Sequence, residues 1–166
     1  MLAEACRLLG DMPIQVKAYG DPEAYPEYVG RVAQAAEGTC LQLMGRLARE
    51  EVPAALAETD LLVVPSLWYE NSPMVIAEAF AAGVPVAASD LGALPEQVQS
   101  GGLLIPPGDA QALAETLRRV ALEPGLLDRL RDNVRRQVRA SRSQHIDEME
   151  AIYQALAGER GSPRLQ

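Results

Sequence analysis

Glu70 and Glu78, two carboxylates with seven residues between them, are the pair in this sequence whose type and spacing could do chemistry. They stand in residues 61–90, LLVVPSLWYENSPMVIAEAFAAGVPVAASD, which read as an apolar strand, a polar loop, a short helix and a second apolar strand. Glu70 falls in the loop and Glu78 inside the helix. Ser72 followed by Pro73 predicts that the helix starts at about Pro73, because Ser can cap free N–H groups and Pro at the first helical position gives up an N–H that has no partner there. Glu78 is the only polar side chain of residues 73–82, PMVIAEAFAA, so the helix is expected to be buried nearly all round. A carboxylate in such a place is costly unless hydrogen-bonded, and Glu78 therefore needs a partner in the protein or in a ligand. The helix start at Ser72, Pro73 and Met74 offers backbone N–H groups and the positive end of the helix dipole, a natural anion site. Glu78 lies about 7.5 Å further along the axis at about 1.5 Å per residue, comparable to the separation of diphosphate and ribose within one nucleotide. The alternative is a Glu78 that reaches solvent or meets an internal Arg.

The stretch also carries a resemblance. Glu70, seven intervening residues, then Glu78 with Ala79 resembles the E-x7-E signature of the retaining GT-B glycosyltransferases often called group 1 or family 4. The surrounding pattern, PS-x3-E-x7-EA-x3-G-x-PV from Pro65 to Val86, is more specific than a bare pair of glutamates. The resemblance extends over residues 14–153. It implies a nucleotide-diphosphate sugar as donor substrate, bound by the C-terminal of two Rossmann-like domains, with the acceptor on an N-terminal domain that this sequence does not contain. It further implies that Glu78 holds the ribose, that Glu70 is the catalytic residue beside the transferred sugar, and that no metal is needed. The N–H groups of Ser72 to Met74 would take the diphosphate, with Asn71 and Ser66 in the same donor site. Arg46 and Leu47 follow a strand end where the family's chain approaches the nucleobase, largely through backbone. The sequence departs from the family in three places. The family's diphosphate-binding Arg and Lys lie on and after the first strand of the domain, ahead of Met1; the Gly-rich loop after the first Glu reads Asn71-Ser72-Pro73; and one glycine of the usual pair after Asp90 is Ala93.

Positioning these residues takes alternating strands and helices. Strands are expected over residues 14–19, 40–44, 61–65, 84–88 and 102–105, from short apolar or alternating runs bounded by Gly, Pro and Asp. Helices are expected over residues 2–9, 27–36, 52–58 and 95–99, and again after Asp109, which can cap the helix whose apolar face is Leu113, Thr116, Leu117 and Val120. Leu126, Leu127, Leu130, Val134 and Val138 recur at helical spacing, as do Ile146, Met149, Ile152, Tyr153 and Leu156. The alternation implies an α/β fold, a Rossmann-like parallel sheet with helices on both faces, the C-terminal half of a GT-B fold. Ligands of such sheets sit at the carboxyl ends of the strands, here Gly20, Gly45 with Arg46, Pro65 with Ser66, and Ser89 with Asp90. The Glu70 loop falls where that rule alone places a site. The domain is expected over residues 1–157 with a polar tail at 158–166. A chain that opens directly in a helix is expected to be a fragment without its first strand and N-terminal acceptor domain.

Composition narrows the classes. At 166 residues and 48% hydrophobic the chain can bury the core of one domain, about half of what a two-domain enzyme needs. A net charge of −8 argues against nucleic-acid binding. Arg129, Arg131, Arg135, Arg136, Arg139 and Arg142 form the one cationic cluster, read as a solvated helix face; the alternative is contact with a further domain or peripheral association of the full-length enzyme with an anionic membrane. Cys6 and Cys40 lack metal-ligand spacing and read as buried thiols of a reduced, cytoplasmic protein. Trp68 and Tyr69 are read as local packing, the alternative being that they flank the sugar or the acceptor, and His145 as a helix-surface residue. Two rivals to a glycosyltransferase are a nucleotide-sugar epimerase of the same fold and a non-catalytic nucleotide or protein interaction module.

Overall fold

The Val-Ala-Ala-Ser run of β4 (Val86–Ser89) is buried along its whole length, as a strand with parallel neighbours on both sides should be. In the computed structural model it lies between β3 (Leu62–Val64) and β5 (Gly102–Ile105), with Leu62 opposite Val86 and Ser89 opposite Ile105. A second parallel ladder joins β1 (Val16–Tyr19) to β2 (Leu41–Gly45), with a register shift between Ala18 and Tyr19. Among the described residues the five strands thus appear as a pair and a triplet, and no ladder links β1 to β3. The structure describes the backbone of residues 1–137 and 142–159 and the side chains of residues 1–137 and 146–157.

Seven helices of the first compact unit, Met1–Arg136, cover these strands: α1 (Leu2–Leu9), α2 (Pro26–Ala36), α3 (Val52–Ala57), α4 (Met74–Ala81), α5 (Leu94–Val98), α6 (Ala110–Leu122) and α7 (Leu126–Arg136). Side-chain alternation along the segment containing β3 sorts the core into two layers. Leu62 and Val64 join Leu56, Ile76, Phe80, Leu94 and Val98 from α3, α4 and α5, whereas Leu61 and Val63 join Ala5, Leu9, Leu113 and Leu117 from α1 and α6. Helices therefore lie on both faces, as the alternating pattern implies. Ile76, Leu94, Ile105 and Leu113 are fully buried, each stabilising the fold by about 1.5–3 kcal/mol relative to exposure. Asp109 caps α6 as expected, its carboxylate accepting from the Ala112 N–H at 2.9 Å.

Differences from the sequence reading have local causes. The strand expected at 14–19 pairs only from Val16, and the helix expected at 52–58 is preceded by a 3-10 turn, Arg49–Glu51, in which the Glu51 carboxylate accepts from the Ala48 N–H at 2.8 Å. Cys6 is buried, but Cys40 is only half-buried. Removal from water, then the neighbouring Cys40 thiol, pushes the Cys6 thiol up from 9.0 to about 12. In the arginine cluster, Arg129 pairs with Glu123 at 2.6 Å, Arg131 with Asp60 at 2.5 Å and Arg135 with Asp132 at 3.0 Å. These are ion pairs on an exposed face, where carboxylates answer the positive charge. The side chains of Arg139, Arg142 and His145 lie outside the described residues.

The second unit, residues 137–166, contains α8 (Arg142–Glu159), along which Ile146, Met149, Ile152, Tyr153 and Leu156 recur every three or four residues. Among the described residues no helix is long and apolar enough to cross a membrane.

Candidate functional site

Helix α4 is one-sided, not buried all round. Ile76, Ala79 and Phe80 enter the core, whereas Met74 is 67% exposed and Ala77 and Ala81 face solvent. An apolar composition raised the expectation, but small alanines and one flexible Met can line an outer face at little cost. The helix also starts one residue later than predicted. Pro73 takes φ −65° and ψ 116°, an extended geometry, so it is the cap residue, and Ser72 makes no capping hydrogen bond. Pro73 has no N–H to offer. The amides of Met74 and Val75, by contrast, have no backbone acceptor, and the Ile76 N–H turns back to the Pro73 carbonyl at 3.2 Å. At its other end α4 closes with Gly83 at φ +77°, the Gly83 N–H donating to Phe80 O at 3.0 Å and the Val84 N–H to Ala79 O at 2.8 Å. This paired closure needs a left-handed residue, which Gly adopts without strain.

Glu78 is half-buried on α4, about 6 Å along the axis from Met74 at about 1.5 Å per residue. Its carboxylate has no hydrogen bond or ion pair among the described residues. Among the described residues no Arg meets it.

Glu70 is positioned by two elements. Ser66, 6% exposed and two residues past the end of β3, donates its hydroxyl to Glu70 Oε1 at 3.1 Å. The loop between β4 and α5 grips the backbone: the Ala93 N–H donates to Glu70 O at 3.1 Å, and Gln97 Nε2 donates to Asn71 O at 3.2 Å. Gly92, just before Ala93, takes φ +60°, and a Cβ there would stand 2.9 Å from Glu70 O and 3.2 Å from Glu70 N. Gly92 and Gln97 are site-building residues that sequence reasoning missed. Gly92 was visible as one of a pair, but no pattern announces backbone contact with a loop 22 residues away. Ala93 in place of a second glycine leaves the contact intact, because its N–H makes it.

The structure brings Ser66, Glu70, Asn71, Ser72, Pro73, Met74 and Glu78 together on one continuous segment. Arg46 and Leu47 stand at the end of β2, in the other ladder. Arg46 is exposed and 3.9 Å from Asp21, and no bond joins it to the Glu70 loop. Leu47 is half-buried. Trp68 and Tyr69 do not pack locally: they are 65% and 81% exposed. The loop is held through its backbone and Glu70, so nothing draws the two rings inward. Among the described residues no three His, Cys, Asp or Glu side chains converge as a metal site requires.

Comparison with known proteins bears on this arrangement. A family model described as glycosyl transferases group 1 matches residues 1–123. The chain belongs to the group 1 glycosyltransferases. Within this family it is 36% identical over 129 residues to the amylovoran biosynthesis glycosyltransferase AmsK of Erwinia amylovora, covering 71% of this chain and 31% of that protein. It is 34% identical over 133 residues to the MMP alpha-(1->4)-mannosyltransferase of Mycolicibacterium hassiacum, covering 78% and 32%. The chain thus spans about a third of the length of these relatives. Among solved structures, sucrose-phosphate synthase from Thermosynechococcus elongatus superposes with a TM-score of 0.68 at 27% identity, over 95% of this group 1 chain and 43% of that one. The architecture is that of GT-B glycosyltransferases.

Proposed function

We propose that this chain is the donor-binding half of a retaining glycosyltransferase that moves a hexosyl group from a nucleotide-diphosphate sugar to an acceptor carried by a further, N-terminal domain. The observation that carries the reading is Glu78: a half-buried carboxylate without a partner among the described residues, one turn from the free amides of Met74 and Val75. The ribose hydroxyls donate to Glu78. The Met74 and Val75 N–H groups, with the exposed Ser72 beside them, take the diphosphate at the positive end of α4. As the sugar leaves, charge builds on the diphosphate, and fixed N–H dipoles stabilise it more than they stabilise the bound donor. Glu70, held by Ser66 and by the Gly92–Ala93 backbone, orients the transferred sugar. Arg46 and Leu47 border the nucleobase.

The test is turnover by the full-length gene product with a panel of nucleotide-diphosphate sugars, reading the product's anomeric configuration by NMR. The expected product is a glycoside with the donor's anomeric configuration. Glu70→Ala is expected to lower kcat by about 100-fold or more, the scale of losing one group that acts on the transition state. An epimerised nucleotide-sugar, an inverted product or no turnover with any donor would overturn the reading.

A further inference from the structure

Leu67, Trp68 and Tyr69 are three large side chains in a row, all exposed, immediately before Glu70. A folded surface keeps such runs out unless something binds there. The chain is otherwise sparing of aromatics, with one Trp, five Tyr and one Phe in 166 residues. Neither the Trp68 indole nor the Tyr69 phenol has a hydrogen bond or ring contact among the described residues.

The backbone beneath the two rings is fixed on both sides. Leu67 rests against the turn after β5, where a Cβ at Gly108 would stand 3.6 Å from Leu67 Cδ2. A Cβ at Gly92 would stand 3.3 Å from Tyr69 Cα, and the Ala93 N–H holds Glu70 O. Each ring therefore has only its two side-chain torsions to order on contact, a small entropic cost for a large contact area. The course of the loop sets what the rings can meet. It leaves β3, touches the loop after β4 and reaches the turn after β5, so it leans across the carboxyl ends of the triplet. The other ladder, with Arg46 and Leu47 at the end of β2, adjoins β3: Lys17 reaches Glu58, just before β3, at 3.6 Å. A donor laid from Arg46 and Leu47 past Glu78 to Glu70 thus ends where the aromatic run begins.

We infer that Trp68 and Tyr69 form the platform on which the acceptor rests, and that the acceptor is a neutral carbohydrate with a sugar ring against them. This rests on the donor placement proposed above. The attacking hydroxyl must come within about 3–3.5 Å of the sugar carbon it attacks. That sugar lies beside Glu70, so the acceptor comes within reach of side chains one and two residues away. A sugar ring presents C–H groups on its face and hydroxyls round its rim. Trp and Tyr match it with an apolar face and an N–H or O–H at the edge. A net charge of −8 and the Glu70 carboxylate repel an acidic acceptor or an anionic lipid surface, which leaves a neutral ring as the better fit.

The single Trp supplies the reporter, because its indole N–H gives one resonance in the 15N-labelled 166-residue chain. Titration with neutral gluco-, manno- and galacto-oligosaccharides is expected to move the indole saturably with at least one of them, in the millimolar range. Vesicles of anionic phospholipid are expected to leave it unmoved. In the full-length gene product, Trp68→Ala and Tyr69→Ala are each expected to raise the KM for the acceptor about tenfold, the scale of losing one ring stacked on an aromatic face. The KM for the donor stays nearly unchanged, Trp68→Phe retains most of the acceptor affinity, and the Tm changes little because both side chains are exposed. An indole that moves only with vesicles, an indole that moves with neither probe, or an acceptor KM unaltered in both alanine variants would overturn the inference. The titration needs no turnover. A full-length product inactive with every donor would therefore sink the proposed function by itself, whereas turnover with a silent indole would sink only this inference.

Discussion

Because Glu78 has no ion pair among the described residues, Glu78→Gln separates a ligand role from a structural one. Stability should change by less than about 0.5 kcal/mol, as for a surface substitution away from any special feature. A charged hydrogen bond to ribose is worth about 1.5–3 kcal/mol, so nucleotide affinity should fall by roughly tenfold to 150-fold. A denaturation curve and a binding isotherm on the same variant give both numbers, and strong destabilisation with unaltered affinity would refute the ribose assignment. Cys6 gives a residue-scale pH effect. Its thiol ionises near 9.0 when unfolded and near 12 when folded, so folding holds the neutral form. That contribution is complete below about pH 9 and is lost as pH rises through that range toward 12. The stability of the parent should therefore fall with pH across this window more steeply than that of Cys6→Ala, measured by urea denaturation at successive pH values. Parallel curves would contradict it.

At the scale of elements, the loop from β4 to α5 is what places Glu70, and Gly92 is its tightest point. A side chain at Gly92 meets two penalties, the left-handed backbone and a Cβ 2.9 Å from Glu70 O. Gly92→Ala should therefore destabilise by about 1–3 kcal/mol and displace Glu70, lowering turnover of the full-length enzyme more than it weakens nucleotide binding. Urea denaturation with steady-state kinetics reads both effects. An unchanged kcat would mean that the clamp does not position Glu70. Elements differ in how far the sequence disclosed them. Gly83 ends α4 and Asp109 starts α6 through contacts within a few residues, so both were legible. Ser72 was misread because Pro73 itself adopts the extended geometry of a cap, a choice of ψ that composition does not determine. The exposed outer face of α4 was illegible for a different reason: burial depends on what packs over a helix, and its own residues do not carry that information. Gly92 against Glu70 and Gln97 against Asn71 join segments that only the tertiary fold brings together.

At the scale of the whole molecule, the described strands form two parallel ladders, a pair and a triplet. On the proposed reading, in which a further domain carries the acceptor, the 166-residue chain alone is expected to transfer no sugar; an assay with radiolabelled donor would show it, and robust transfer would contradict it. The proposed site holds the carboxylates Glu70 and Glu78, and Arg46 is engaged by Asp21. Two amides and a helix dipole must then carry the diphosphate. Such a site should bind a nucleoside diphosphate with about 4 kcal/mol, which corresponds to millimolar affinity. The most direct measurement is an NMR titration of the 15N-labelled chain with a panel of nucleoside diphosphates. Saturable shifts at Met74, Val75 and Glu78 with a millimolar Kd are the predicted result; shifts confined to other parts of the chain, or binding tighter than about 10 μM, would contradict the placement of the donor on α4.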